Sequence, residues 1–211
     1  TYKEEMAVSA TQIANYTLDG EAMPAGTKIA MDGENKVVTI TLPEGTFAKN
    51  VQKKLVISDN VMTKAGSYVV GNLSTKETYM SDLLAFTDNT KPILEKAQFV
   101  VSDTSDTTIK TTNTIRLTFD ENIATALADA AKDNFVIIAH DGTEIAVTNT
   151  TATDGTGKVV DLTLASDVNM SQVVKVKVVP ESESGKAQAL TDAAGNTLAE
   201  GIIVTVSGKV Q

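Results

Sequence analysis

An internal repeat is the feature that most constrains the fold of this chain of 211 residues. Five blocks in the first half match five blocks in the second half, in the same order and at a spacing of about 120 residues. The matched blocks are 2–6 with 119–123, 14–16 with 133–135, 35–42 with 157–164, 54–57 with 175–178, and 61–69 with 190–198. Self-similarity of this kind indicates a duplicated structural unit, so the sequence predicts two copies of one domain.

Alternation of apolar and other residues predicts that each copy is built from short β-strands. The alternating segments are 36–42, 115–119, 174–178 and 202–206. A period of two places alternate side chains on one face, so one face of each strand is expected to pack on a core. The residues expected to point inward in the third matched block are Val38, Ile40 and Leu42 in the first copy and Val160, Leu162 and Leu164 in the second.

About seven short strands per copy, separated by turns rich in Gly, Asn and Asp, predict an all-β chain of two tandem immunoglobulin-like β-sandwich domains. The expected boundaries are 1–90 and 91–211, with Pro92 ending a short linker at 88–92. The first copy is expected to be N-terminally truncated, because it begins where its second strand should end. The opening strands that it lacks are visible in the second copy as 97–102 and 115–119.

One short helix is predicted after the second strand of the second domain, over 122–133. Ile123, Leu127, Ala130 and Ala131 fall there at spacings of three and four residues in an alanine-rich segment. A weaker helical counterpart is predicted at 6–14 in the first copy.

Composition excludes several function classes. A net charge of -9 repels phosphate backbones and anionic lipids, so neither nucleic acid nor a membrane surface is an expected partner. The chain has no Cys, which excludes disulfides and thiolate nucleophiles. No apolar run reaches the roughly 18 to 20 residues of a transmembrane helix, so no transmembrane segment is expected. Aromatic residues make up only 4%, with no Trp, so the cores must be aliphatic.

Three segments of the second copy carry a resemblance to a known family: 117–123, 134–135 and 190–198. Together they resemble the bacterial Ig-like modules that occur in tandem in surface-layer (S-layer) proteins of Gram-positive bacilli, and the linker 86–92 is similar to the joint that introduces each such module. The first copy departs from the pattern at Thr63, Lys64 and Ser67, where the second has Asp192, Ala193 and Asn196.

The resemblance implies a secreted, cell-wall-associated structural protein that self-assembles into a two-dimensional lattice, often with calcium at domain joints. Its partners would be other copies in the lattice and neighbouring domains of the same parent chain. A second hypothesis is a binding module, either an adhesin stalk or an accessory domain of a secreted enzyme, that recognises a carbohydrate or a protein. The wall-anchoring region is expected to lie outside this sequence.

Catalysis is not expected. His140 is the only histidine, on a predicted strand end, and no Gly-x-Ser-x-Gly elbow accompanies it. It is interpreted as a solvent-facing residue rather than a catalytic base. The segment 155–157 lacks the helix start and the lysine spacing of a phosphate-binding loop.

Acidic oxygens are the one plentiful chemical resource, and calcium requires six to eight oxygen ligands. The predicted metal ligands are Asp88 and Asn89 in the linker with Asp120 and Glu121 after the second strand of the second domain. The alternative is that the first pair caps a turn and the second pair begins the short helix. Asp192 and Asn196 are expected to shape a turn.

Overall fold

The structure, a computed structural model, describes residues 1–69, 71–72, 75–76, 79–123, 129–179 and 190–211. These residues form β-strands, connecting loops and a few short 3₁₀ turns, which confirms the all-β prediction. The chain divides into two compact units, Thr1–Thr90 and Lys91–Gln211. No helix among the described residues is long and apolar enough to cross a membrane.

The second unit contains one eight-stranded sheet. Its strands are β9 (Leu94–Val100), β10 (Thr111–Phe119), β11 (Phe135–Ile138), β12 (Glu144–Ile145), β13 (Val147–Ala152), β14 (Val159–Asn169), β15 (Lys175–Val178) and β16 (Ile203–Val210). They pair in the order β12-β11-β15-β16-β9-β10-β14-β13. All pairs are antiparallel except β16 with β9, which are parallel. Because β16 pairs with β15 through its first half and with β9 through its second, it joins the two halves of the sheet.

Side chains from both halves of that sheet pack into one core, so the sheet folds over on itself. Ile115, Leu117 and Phe119 of β10 are completely buried, as are Val160 and Leu162 of β14. Across the core, β11 and β15 contribute further buried residues to the same cluster. The strand phase predicted for these segments is therefore confirmed.

The first unit contains the strands β1 (Tyr16–Leu18), β2 (Glu21–Ala22), β3 (Lys28–Met31), β4 (Val38–Thr41), β5 (Val51–Ile57), β6 (Gly71–Asn72), β7 (Thr75–Lys76) and β8 (Tyr79–Phe86). One sheet has four strands in the order β2-β1-β5-β8. The pairs β3-β4 and β6-β7 stand as separate two-stranded sheets. The predicted inward phase of Val38 and Ile40 is confirmed, since both pack against this unit's small core.

The two units share one strand order. If β2-β1-β5-β8 is equated with β12-β11-β15-β16, and β4-β3 with β14-β13, the sheets match strand for strand. The register agrees, because Tyr16 lies opposite Ile57 as Phe135 lies opposite Val178. What the second unit has in addition is the hairpin β9–β10, which connects β16 to β14.

Loop hydrogen bonds repeat along with the strands. The Tyr2 amide donates to the Lys36 carbonyl at 2.8 Å, and the matched Phe119 amide donates to the Lys158 carbonyl at 2.9 Å. The Ser58 amide bonds the Asn15 carbonyl at 2.8 Å, as the Val179 amide bonds the Asn134 carbonyl at 2.9 Å. Equivalent contacts between distant blocks indicate that the sequence repeat is a structural repeat.

The predicted helices require a correction. Residues 122–123 are not helical, Asp129–Asn134 form a 3₁₀ helix, and 124–128 lie outside the described residues. The weaker counterpart at 6–14 contains the 3₁₀ helix Val8–Thr11, and a second one follows at Ile13–Asn15. The described parts of both segments form 3₁₀ turns because helices this short gain too few hydrogen bonds to offset the cost of nucleation.

Candidate functional site

Asp88 and Asn89, two of the predicted calcium ligands, lie at the end of the first unit and are held by its own backbone. Asn89 accepts the Phe47 amide on its side-chain oxygen at 2.9 Å and donates its side-chain nitrogen to the Pro43 carbonyl at 3.0 Å. The Asp88 carboxylate accepts the Thr90 amide at 3.0 Å. Asn89 therefore closes a loop, while Asp88 caps a short turn.

Asp120 and Glu121, the other two predicted ligands, follow β10 in the second unit. A carboxylate oxygen of Asp120 accepts a hydrogen bond from the Ile93 amide at 2.7 Å. The backbone carbonyl of Asp120 accepts one from the Lys158 ammonium at 2.8 Å. Asp120 thereby ties the start of β9 to the end of β10. Glu121 is half-buried, and one of its carboxylate oxygens lies within 4.8 Å of a carboxylate oxygen of Asp192 in the same unit.

Asp192 shapes a turn, as the sequence predicted. Its carboxylate accepts the amides of Ala194 and Asn196, each at 2.8 Å, and the Asn196 side-chain nitrogen at 2.7 Å. The side chain is buried, with a relative exposure of 4%. Its position beside Glu121 was missed by the sequence analysis. The signal available was the replacement of Thr63 by Asp192 in the repeat, since only the second copy puts a carboxylate there.

The same turn recurs in the first unit without the charge. The Thr63 amide donates to the Ser67 carbonyl at 2.8 Å, where the Asp192 amide donates to the Asn196 carbonyl at 3.0 Å. The Thr63 hydroxyl accepts the Ser67 amide at 3.1 Å, in the place of one carboxylate bond. Gly66 and Gly195 both take a left-handed conformation, with φ of 83° and 92°. The turn is thus conserved in geometry, and only its electrostatics differ between the units.

The acidic pair Glu121 and Asp192 in the second unit is arranged so that it could contribute oxygen ligands to a cation. Two carboxylates at this separation repel each other, and a hard cation between them would relieve the repulsion. His140 is exposed in the turn that follows β11.

A second candidate site is an open groove in the first unit, with a volume of about 750 Å³. Its walls are apolar residues of β4, β5 and β8, together with residues of the N-terminal segment and of the loop after β5. The lining residues include Tyr2, Tyr16, Val38, Ile40, Leu55 and Leu84. Among the described residues, β4 pairs only with β3 and β8 only with β5, so each strand presents one unpaired edge to this groove.

Comparisons with known proteins give two structural similarities. No protein-family model matches the chain, and no curated protein matches it. The N-terminal part of the bacterial S-layer protein SbsC is similar over 56% of this chain, with 17% identity and a TM-score of 0.40. The S-layer protein rSbsC is similar over 56% of this chain, with 18% identity and a TM-score of 0.41. The match spans 24% of the first structure and 14% of the second.

Proposed function

We propose that this chain is a structural component of a bacterial surface layer, in which immunoglobulin-like domains contribute to self-assembly of a two-dimensional lattice on the cell wall. The observation that carries the proposal is the structural duplication. Two units of one chain repeat the same strand order, the same register and the same loop hydrogen bonds. A chain of tandem compact domains presents several contact surfaces along its length, which is what a lattice protein requires.

The immunoglobulin-like assignment is supported by the second unit. Its sheet folds over one core, and β16 changes partner along its length, antiparallel to β15 and then parallel to β9. A strand shared between two halves of a sheet is a common way to close a β-sandwich. The segments 117–123 and 190–198, which carry the resemblance to S-layer modules, form the end of β10 and the turn around Asp192.

A structural rather than enzymatic role is part of the proposal, as are secretion and a location at the cell surface. The single histidine, His140, is exposed in a turn. Two buried polar side chains in the second unit hold the backbone instead: Asp192 accepts two backbone amides, and the Asn134 side-chain nitrogen donates to the Ala131 carbonyl.

Electron microscopy of the full-length protein that carries this sequence tests the proposal. Ordered two-dimensional sheets on cells, and reassembly of the purified protein into the same sheets, are the expected results. A protein that stays monomeric and instead binds one class of glycan on an array would contradict the structural role. That outcome would favour a binding module.

Calcium binding by residues among Asp88, Asn89, Asp120 and Glu121 remains a proposal. The nearness of Glu121 and Asp192 within the second unit supports it, because calcium prefers clustered carboxylates. A ligand that binds only the folded state stabilises it by about 2.7 kcal/mol at a hundred times its dissociation constant.

The test is thermal melting with and without calcium. We expect the melting temperature to rise with millimolar calcium, and to rise less with magnesium, which releases its waters reluctantly. The shift should shrink in Glu121→Gln and persist in Glu144→Gln, a control at an exposed carboxylate of β12. Identical melting curves in calcium and in chelator would rule the site out.

A further inference from the structure

The groove of the first unit lies where the second unit has two more strands. In the second unit, β9 and β10 fill the interval between β16 and β14. In the first unit the matching strands β8 and β4 border that interval, and no described strand lies between them. The repeat therefore identifies what the groove is shaped to receive, because the same chain contains the filled form.

Burial of equivalent residues shows the effect of the missing strands. Phe119, Val160, Leu162 and Val176 are completely buried in the second unit. Their equivalents Tyr2, Val38, Ile40 and Leu55 are only half-buried, and all four line the groove. The uncovered surface is thus the inner face of a sheet, which normally faces a packed core.

The hairpin of the second unit shows which side chains cover such a face. The buried residues of β9 and β10 are Leu94, Ala97, Phe99, Ile115, Leu117 and Phe119. They alternate with half-buried residues from Ala97 onward in β9 and from Ile115 onward in β10. An occupant of the groove must therefore be extended and must carry apolar side chains at alternate positions.

We propose that the first unit is a strand acceptor whose groove binds a β-hairpin with the alternating pattern of β9 and β10. The second strand of the hairpin would pair antiparallel to β4, as β10 pairs with β14, and the first strand would pair parallel to β8, as β9 pairs with β16. Its C-terminal end would meet the N-terminal segment of the unit, because Tyr2 is equivalent to Phe119 at the end of β10.

Recognition would combine two kinds of interaction. The open edges of β4 and β8 offer main-chain donors and acceptors, which give strand addition its affinity. The apolar floor, including Ile40 and Leu55, selects the side chains that alternate along the incoming strands. This acceptor role follows from the fold of the first unit and does not depend on the surface-layer proposal.

The tyrosines provide a direct readout. The chain has four Tyr and no Trp, and all four tyrosines line the groove: Tyr2, Tyr16, Tyr68 and Tyr79. The probe is a synthetic peptide with the sequence of residues 94–119, which contains neither Tyr nor Trp. We expect the peptide to change the tyrosine fluorescence of the intact chain in a saturable way, because it would cover Tyr2, Tyr68 and Tyr79, which are half-buried or exposed, whereas Tyr16 is already buried.

Matched variants separate groove binding from nonspecific association. Leu84 lines the groove, whereas its neighbour Leu83 on the same strand does not and is more exposed, at 56% against 39%. Leu84→Glu should weaken peptide binding by about tenfold or more, while Leu83→Glu should leave it unchanged. A peptide with Asn in place of both Ile115 and Leu117 should not bind, since it could not cover the apolar floor.

A fused variant keeps the test decisive if the free peptide aggregates. In it, residues 91–117 are placed a second time, directly ahead of Thr1, because Thr1 is equivalent to Thr118 and one extra residue would turn the hairpin's side chains to the opposite face. We expect the tyrosine signal of this variant to unfold at a higher urea concentration than that of the unmodified chain. An unchanged tyrosine signal with the peptide and an unchanged midpoint in the fused variant would overturn the proposal. So would a chain that dimerises through the groove, with dimerisation lost in Leu84→Glu and the peptide without effect.

Discussion

Leu162 of the second unit is completely buried, whereas its equivalent Ile40 in the first unit is only half-buried, although both occupy the same position in the same pair of strands. The chain around the two residues is alike, including the loop that precedes each strand. The difference in burial comes from the strand that pairs with the second edge of β14 and has no described counterpart beside β4. β14 is covered by β10, while β4 has an open edge.

The comparison teaches that strand order and core closure are separable in this fold. The first unit keeps its turns and its register without the hairpin that joins its two half-sheets. Local hydrogen bonds and turn geometry are sufficient to set the strands, because each hairpin satisfies its own backbone. Burial of the central apolar residues, by contrast, requires the hairpin.

The largest expected difference between the units is in the cost of a cavity. Leu162→Ala should destabilise the second unit by about 2 to 5 kcal/mol, because it leaves a void in a closed core. Ile40→Ala should cost the first unit only roughly 1 to 2 kcal/mol, because part of its surface already faces water. Urea denaturation followed by tyrosine fluorescence for the first unit, and by circular dichroism for the whole chain, measures both. Equal losses would mean that the first core is closed.

A second difference concerns the loop before β4 and β14, where Asn35 of the first unit, with a φ of 57°, matches Gly157 of the second. Gly157 has a φ of 82°, and an added Cβ would collide with the Ile123 carbonyl oxygen. Gly157→Ala should therefore cost roughly 1 to 2 kcal/mol of strain and a further 1 to 3 kcal/mol from the clash. Gly155→Ala, with a φ of 71° and open space around it, should cost only the strain. Similar urea midpoints for the two variants would contradict this reading of the turn.

A third difference is a buried polar group that destabilises the second unit and has no equivalent in the first. Thr150 faces Leu162 across β13 and β14, and its buried hydroxyl has no hydrogen-bond partner among the described residues. At the equivalent position, opposite Ile40, the first unit has Ile29. Thr150→Val should stabilise the second unit by about 1 kcal/mol, since it removes an unpaired buried polar group at constant shape. A lower urea midpoint in Thr150→Val would show that the hydroxyl is satisfied.

The smallest expected effects are in the pH dependence. The Val37 amide, which donates to the Asp32 carboxylate, holds the pKa of Asp32 below its usual 3.8. Burial would raise the pKa of Asp154, but hydrogen bonds from the loop that follows, led by the Thr156 hydroxyl, outweigh it and lower the pKa. Both shifts stabilise the fold above the usual pKa of the carboxyl group, and the contribution is lost as the pH falls below about 4.

Asp32→Asn should therefore flatten the acid-induced change in tyrosine fluorescence, while Asp154→Asn should leave that signal unchanged, because all tyrosines lie in the first unit. Acid titration of the two variants side by side makes the measurement. A change in the tyrosine titration of Asp154→Asn would mean that the two units unfold together.

Much of the fold was accessible from the sequence because the repeat and the two-residue period depend on local pattern. The phase of Ile115, Leu117 and Phe119 followed from alternation alone, and these residues are buried as predicted. The helix over 122–133 was overestimated because alanine spacing suggests helix even where a segment only bridges two strands. The immunoglobulin-like assignment and the surface-layer role stay predictions.

The candidate sites were less accessible because they depend on contacts between distant parts of the chain. Glu121 was identified by its position after β10, but its neighbour Asp192 lies far away in sequence and was assigned only to a turn. The groove of the first unit was not predicted, although the sequence analysis identified the opening strands that the first copy lacks. Its lining could not be named from the sequence, since that requires the positions of Tyr68 and Leu84 relative to Ile40.

Hydrogen exchange of the intact chain, followed by mass spectrometry, tests whether the first unit has the fold of the second without the hairpin β9–β10. We predict that amides in β4 and β8 exchange faster than those in β14 and β16, and that the peptide of residues 94–119 slows exchange in β4 and β8 alone. Equal protection of β4 and β14 without the peptide would contradict the account, because the edge of β4 would then already be paired.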